Sequence, residues 1–127
     1  MSWRYVERPS FIRCCEDRSI SSEVRESIKF WAPTVNRTPT PRLKIIYRTR
    51  DNRYEAWSAR IPNPDSNKGT SGGYRLIYFL DVQEGTTNMV YIAERDEWGF
   101  KDESPKKKAE YTHLVQEIKE LLDSLEP

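Results

Sequence analysis

The stretch Lys68–Tyr78, which reads KGTSGGYRLIY, carries a glycine-rich turn directly into an apolar segment. The run from Tyr74 to Leu80 is rich in aromatic and large aliphatic side chains, which is typical of a buried strand. A nucleotide-binding P-loop needs a helix after its glycines, so this context argues against an NTPase. The glycines instead allow backbone N–H groups and the neighbouring Arg75 to approach a phosphate closely.

Further strands flank this segment on both sides. Alternating apolar residues and turn signals predict three of them, at Leu43 to Thr49, Tyr54 to Ile61 and Asn88 to Ala93. Asp51-Asn52 and Glu84-Gly85 are turn-forming pairs, which predicts two hairpins within one antiparallel sheet. The connection from Pro62 to Gly73 is too long for a plain hairpin, and loops of that kind are often functional.

Helices are predicted at both ends of the chain. Trp3 to Glu7 forms a first strand, Pro9 begins a short helix through Cys15, and Ser21-Ser22 begins a second helix that Pro33 ends. Ser104-Pro105 begins a last helix, whose apolar residues share one face: Tyr111, Leu114, Val115, Ile118, Leu121, Leu122 and Leu125. We therefore expect a single α+β domain over residues 1–127, with a twisted antiparallel sheet, two N-terminal helices and a C-terminal helix.

Charge is unevenly distributed along the chain. The formal net charge is only +1, but residues 37–75 hold nine basic and three acidic side chains, a balance of +6. Residues 101–127 hold five basic and seven acidic side chains, a balance of −2. A basic middle suits a polyanion, although solvated strand edges carrying arginine have the same composition.

The remaining composition narrows the class of protein. No apolar run approaches the ~20 residues that cross a bilayer, and the polar start Met1 to Arg4 has no signal-peptide core, so we expect a cytoplasmic protein. Cys14 and Cys15 are sequence neighbours, which disfavours both a disulfide between them and a metal site. We expect two reduced thiols on a helix and no cofactor.

The run Gly-Thr-Ser-Gly-Gly-Tyr-Arg-Leu-Ile-Tyr-Phe resembles the Ser-Gly-Tyr/Ala-Arg-hydrophobic-hydrophobic-Tyr strand of the RelE/HigB toxins. The surrounding order is similar to that family as well, from Tyr5-Val6-Glu7 with Phe11, through Trp57 to Ile61, to Ala93-Glu94-Arg95-Asp96. The resemblance implies a RelE-like fold of the RelE/ParE superfamily. It also implies a toxin that pairs with a cognate antitoxin and cleaves mRNA, in the RelE branch on the ribosome.

Three arginines match basic positions of the family. The resemblance implies that Arg75 binds phosphate, that Arg60 is a basic residue on the neighbouring strand, and that Arg95 is the arginine after the last strand. All three are expected on the concave face of the sheet. Ser58 stands where the family has a lysine, and the tyrosine that RelE uses after Arg95 is absent here. Those departures favour the HigB branch.

Cleavage of RNA through its own 2′-hydroxyl requires a general base, a general acid and positive charge on the phosphate. Arginine stays protonated and is a poor base, so the base is another residue. Asp96 and Lys68 are the principal candidates, with Glu94, Tyr74 and Tyr78 as alternatives. His113, the only histidine, lies at the border of the apolar face of the last helix, which favours a structural role.

Further basic and aromatic residues are candidates for RNA binding, because exposed bases stack on aromatic rings and phosphates attract cations. They are Arg48, Lys44, Tyr74, Trp98 and Lys101. The acids around Arg95 are interleaved with basic residues, which argues against a metal site. Besides a metal-independent mRNA endoribonuclease, two alternatives stay open: a ParE-like topoisomerase poison without catalysis, and an inactive binding module of the same fold.

Overall fold

The computed structural model describes residues 3–35, 37–40, 42–62, 73–94 and 105–125, and the side chains of the last segment from residue 111 onward. The elements are β1 (Arg4–Glu7), α1 (Pro9–Asp17), α2 (Ser22–Trp31), a 3-10 turn (Ala32–Thr34), β2 (Leu43–Arg48), β3 (Tyr54–Ile61), β4 (Tyr74–Asp81), β5 (Thr86–Glu94) and α3 (Pro105–Leu125). The predicted α+β class, with two N-terminal helices and a C-terminal helix around a sheet, is confirmed.

The sheet has five strands in the order β1-β5-β4-β3-β2. Strands β2 to β5 pair antiparallel, as predicted, whereas β1 joins the edge of β5 in parallel. Turn chemistry specifies the hairpins between consecutive strands but not the pairing of strands that are distant in sequence, which is why the parallel edge was not anticipated.

Local signals in the sequence fix the hairpins and the second helix. Asn52 and Gly85 both adopt positive φ, +62° and +71°, in the predicted turns. Such angles favour asparagine and glycine over other residues. The Ser21 hydroxyl accepts a hydrogen bond from the backbone N–H of Val24 at 3.3 Å and so caps α2.

Two apolar cores lie on opposite faces of the sheet. On one face α1 and α2 pack through Phe11, Val24 and Ile28 against Trp57 and Leu76. We call this the α1/α2 face. Cys14 and Cys15 lie here on the predicted helix α1, and the second of them is buried.

Helix α3 covers the other face, which we call the α3 face. Its predicted apolar residues Leu114, Ile118 and Leu122 are buried against Ile77 and Phe79 of β4. Three tyrosine hydroxyls from the sheet also donate hydrogen bonds to the helix: Tyr91 to Glu117 at 3.3 Å, Tyr47 to Asp123 at 2.7 Å, and Tyr54 to the Leu125 carbonyl at 3.3 Å. The last turns of α3 therefore lie at the Tyr54 end of β3, and the end of the sheet that carries Arg60 and Arg75 is the opposite one.

None of the helices in the described segments combines the length and the apolar character that a membrane span requires.

Candidate functional site

Two arginines stand side by side on the central strands. Arg60 of β3 and Arg75 of β4 are direct register partners in the antiparallel pairing. Side chains alternate along a strand, so Arg75 shares a face with Ile77, which packs under α3. Arg60 and Arg75 therefore both belong to the α3 face. The expectation that these two arginines share one face of the sheet is met.

Burial distinguishes the two guanidinium groups. The Arg75 side chain is only 2% exposed, and its Nη1 donates to the Tyr74 carbonyl at 3.5 Å. Arg60 is half-buried, and no acidic side chain pairs with it among the described residues. Ala93, the partner of Arg75 on β5, adds little bulk beside it. Like charges directly opposite each other destabilise a sheet, so this pair favours a bound anion.

A third cation lies on the same face in the next row of register partners, two residues along the strands from the arginine pair. Lys44 of β2 pairs in register with Ser58 of β3, and Ser58 pairs with Ile77. Ser58 is buried, whereas Lys44 is exposed. The position where the resemblance implied a lysine thus holds a small hydroxyl, and the neighbouring strand places a lysine directly beside it.

Arg48 lies on the opposite face, away from this group. Residues 44 and 48 would share a face in a regular strand, but a register shift between Ile45 and Tyr47 turns Arg48 over. Its Nε donates to the Glu55 carboxylate at 3.2 Å on the α1/α2 face.

The other candidates named from the sequence have separate positions. Tyr74 packs into the core of the α1/α2 face and is 9% exposed. Tyr78 is fully buried, and burial together with the charge of Glu55 raises the pKa of its phenol, which makes it a poor general base. Glu94 is exposed at the end of β5, where it pairs in register with Tyr74. Five candidates lie outside the described residues: Lys68, Arg95, Asp96, Trp98 and Lys101.

His113 is 77% exposed on α3, and its Nε2 lies 3.0 Å from Glu117. Among the described segments, no three histidine, cysteine or acidic side chains come together in a way that could hold a metal ion.

Glu55 is a buried charge that the sequence analysis missed. It is 1% exposed, yet its carboxylate accepts hydrogen bonds from Arg37, Arg48 and the Trp57 indole, the last at 3.3 Å. Burial alone raises the pKa of the Glu55 carboxyl. The hydrogen bond and the charge of Arg37, the hydrogen bond from Trp57 and the charge of Arg48 outweigh this effect and hold the pKa below its usual range. The available signal was one acid inside the otherwise apolar strand segment Tyr54–Trp57. We call Glu55, Arg37, Arg48 and Trp57 the Glu55 cluster. Its contacts connect the linker before β2, which carries Arg37, to the sheet.

No protein-family model and no curated protein matches the sequence. Among solved structures, the chain is similar to the crystal structure of the archaeal RelE–RelB complex from Pyrococcus horikoshii OT3. The TM-score is 0.50 at 15% identity, and the match covers 76% of this chain and 98% of that chain. The likeness concerns the backbone arrangement, and it shows that this chain has a RelE-like fold.

Proposed function

We propose that this protein is the toxin of a type II toxin–antitoxin system and acts as a metal-independent mRNA endoribonuclease. The observation that carries the proposal is the Arg60–Arg75 pair, two arginines at opposite register positions towards one end of the α3 face. Such a pair concentrates positive charge where a phosphodiester would be held. It supplies the electrostatic part of RNA cleavage without a metal ion.

The reaction follows from that charge. The 2′-oxygen of the RNA attacks the adjacent phosphorus while a base removes its proton, the bond from phosphorus to the 5′-oxygen breaks, and an acid protonates the leaving oxygen. The products are a 2′,3′-cyclic phosphate and a 5′-hydroxyl. Arg75 and Arg60 stabilise the charge on the phosphate, with Arg95 proposed as a third cation. Asp96 and Lys68 are the proposed proton-transfer groups.

The RNA strand is proposed to continue along the α3 face past Lys44, which lies one row from the arginine pair. Trp98, Lys101 and Arg48 remain proposed contacts for RNA. Tyr74 was a candidate too, but at 9% exposure in the core of the α1/α2 face it offers little surface to a base. Arg48 would meet only a strand that wraps around the edge of β2, since it lies on the other face.

Two partners complete the proposal. The similar archaeal structure is a RelE–RelB complex, which supports a cognate antitoxin for this chain. A flexible acidic segment of that antitoxin would be attracted to residues 37–75, whose charge balance is +6, and the attraction would weaken with salt. The mRNA substrate is proposed to be presented by the ribosome in the cytoplasm.

The test is induced expression followed by mapping of mRNA ends, together with cleavage reactions in vitro. We expect growth arrest, internal mRNA cuts and 2′,3′-cyclic phosphate ends. The purified protein is then supplied with translating ribosomes or with free RNA. Cleavage of free RNA is expected to persist in EDTA, and free RNA that is cut only with added metal and carries 3′-hydroxyl ends would contradict the mechanism.

A second function has one observation in its favour. Arg75 is 2% exposed, and a residue so covered suits a protein that poisons a topoisomerase without contacting phosphate. The same expression experiment separates the two, because a ParE-like poison leaves mRNA intact and inhibits a DNA topoisomerase. Growth arrest with intact mRNA and impaired topoisomerase activity would replace the first proposal by this one.

A further inference from the structure

A cavity of about 420 Å³ opens between α2 and the neighbouring ends of β2 and β3. This volume lies in the range of about 300 to 1,000 Å³ that small-molecule sites occupy. Apolar side chains from all three elements form most of its wall: Ile28 and Trp31 of α2, Leu43 of β2, and Ala59 and Ile61 of β3. The cavity is therefore an apolar recess formed by well-packed elements.

Trp31 gives the recess a rigid aromatic wall. Its ring meets the Tyr78 ring edge-on, with centroids 5.5 Å apart and planes at 82°. Tyr78 is fully buried, which fixes the orientation of the indole, while Trp31 itself is partly exposed. An immobilised and accessible indole is a good stacking platform for a planar ring.

The rim of the recess is basic. Arg42 and Arg60 both border it, and neither pairs with an acid within the part of the chain that the structure describes. The hydroxyl-bearing residues Ser27 and Thr40 lie on the same rim. An apolar aromatic slot with cations and hydroxyls at its mouth matches a nucleotide, whose base enters the slot while its phosphate stays at the rim.

The recess lies on the α1/α2 face, whereas the Arg60 and Arg75 side chains belong to the α3 face. Arg60, close to the end of β3, borders the recess and also belongs to the arginine pair. We propose that the recess binds one base of the RNA substrate where the strand passes around the ends of β2 and β3 from the α3 face to the α1/α2 face, and so contributes to selecting the RNA that is cut. This inference rests on the proposed ribonuclease function. An acidic peptide would satisfy the same cations, but a planar base makes better use of a fixed indole wall.

The experiment titrates the wild-type protein with AMP, CMP, GMP and UMP at low salt, and follows the indole N–H resonances by nuclear magnetic resonance. The Trp31 signal is assigned from its loss in Trp31→Phe. We expect at least one nucleotide to shift that signal saturably. Arg42→Ala should weaken the binding at least about fivefold, since it removes a phosphate contact from an exposed position. Arg50→Ala removes an equally exposed arginine in the turn beyond β2 and should leave the affinity unchanged.

Two further variants test whether the Trp31 ring itself is needed for nucleotide binding. Trp31→Leu removes the stacking wall and should abolish saturation, whereas Phe30→Ala, which truncates an 88% exposed ring at the adjacent position of α2, should not. The inference is overturned if no nucleotide shifts the Trp31 signal, if Arg42→Ala binds as wild type does, or if only an acidic peptide such as acetyl-Asp-Leu-Asp-Leu-amide saturates the recess. If the wild-type protein binds a nucleotide but never cleaves mRNA, the ribonuclease proposal is wrong. If it cleaves mRNA but binds no nucleotide, only this inference is wrong.

Discussion

Arg60 and Arg75 lie directly opposite each other on β3 and β4, with both side chains on the face that α3 covers. The first is half-buried and the second is 2% exposed. Opposed like charges cost a sheet roughly 0.2–1 kcal/mol relative to a neutral pair. The protein therefore carries a destabilising arrangement at the place where the proposed chemistry needs charge.

Replacing one member of this pair should separate stability from activity. We expect Arg60→Thr to leave the free energy of unfolding unchanged or to raise it by up to ~1 kcal/mol, because the repulsion with Arg75 is removed. mRNA cleavage should fall about tenfold or more, since a positive charge near the phosphate is lost. Urea denaturation and a cleavage time course measure the two quantities. Arg60→Lys, which keeps the charge, should show no gain in stability, and an Arg60→Thr protein that is unstable but fully active would contradict this account.

The Glu55 cluster predicts a pH-dependent contribution to stability. Glu55→Gln keeps the shape of the side chain but removes the charge that Arg37 and Arg48 contact. We expect a loss of unfolding free energy on the order of 1–3 kcal/mol at pH 7, measured by urea denaturation. Glu16→Gln on the exposed side of α1 is the matched control and should change stability by less than ~0.5 kcal/mol.

The sign of the pH dependence follows from the lowered pKa of Glu55 in the folded protein. Its contribution is fully present above the ordinary carboxyl pKa of 4.5 and is lost as the pH falls through the lower folded value. The difference in stability between wild type and Glu55→Gln should therefore shrink below about pH 4. A difference that stayed constant from pH 7 to pH 3 would show that the carboxylate charge contributes nothing.

Helix α3 should be held mainly by its apolar face. Ile118 is 1% exposed on the side of α3 that packs against the sheet. Ile118→Ala should therefore lower the free energy of unfolding by about 2–5 kcal/mol, because it leaves a cavity in the core. Gln116→Ala, at an exposed position of the same helix, should change it by less than ~0.5 kcal/mol. Thermal and urea unfolding of both variants provide the measurement, and equal stability of the two would mean that α3 is not docked as described.

The sequence predicted the central strands closely because their signals are local. The predicted span of β3 is the observed one, Tyr54–Ile61, and β4 extends only one residue further, to Asp81. Turn residues with positive φ fixed the hairpins at Asn52 and Gly85. The parallel pairing of β1 with β5 depends on contacts between residues about 80 positions apart, which local patterns do not specify.

The candidate site was predictable to the extent that it follows strand periodicity. Arg60 and Arg75 share a face because regular alternation holds on β3 and β4 around them. Arg48 and Lys44 lie on opposite faces because a bulge in β2 reverses the alternation, and a bulge leaves no clear signal in one sequence. Glu55 was missed because its partner Arg37 comes from a proline-rich linker whose path the sequence does not define.

The most direct test of the ribonuclease proposal is the mRNA cleavage rate of Arg75→Ala beside that of Arg13→Ala, an exposed arginine of α1 that lies outside the site. Circular dichroism first establishes that both variants are folded. The account predicts a loss of about a hundredfold or more for Arg75→Ala, because a guanidinium that stabilises developing phosphate charge supplies several kcal/mol of the barrier reduction, and wild-type cleavage for Arg13→Ala. A folded Arg75→Ala protein that cuts mRNA at the wild-type rate would contradict the account.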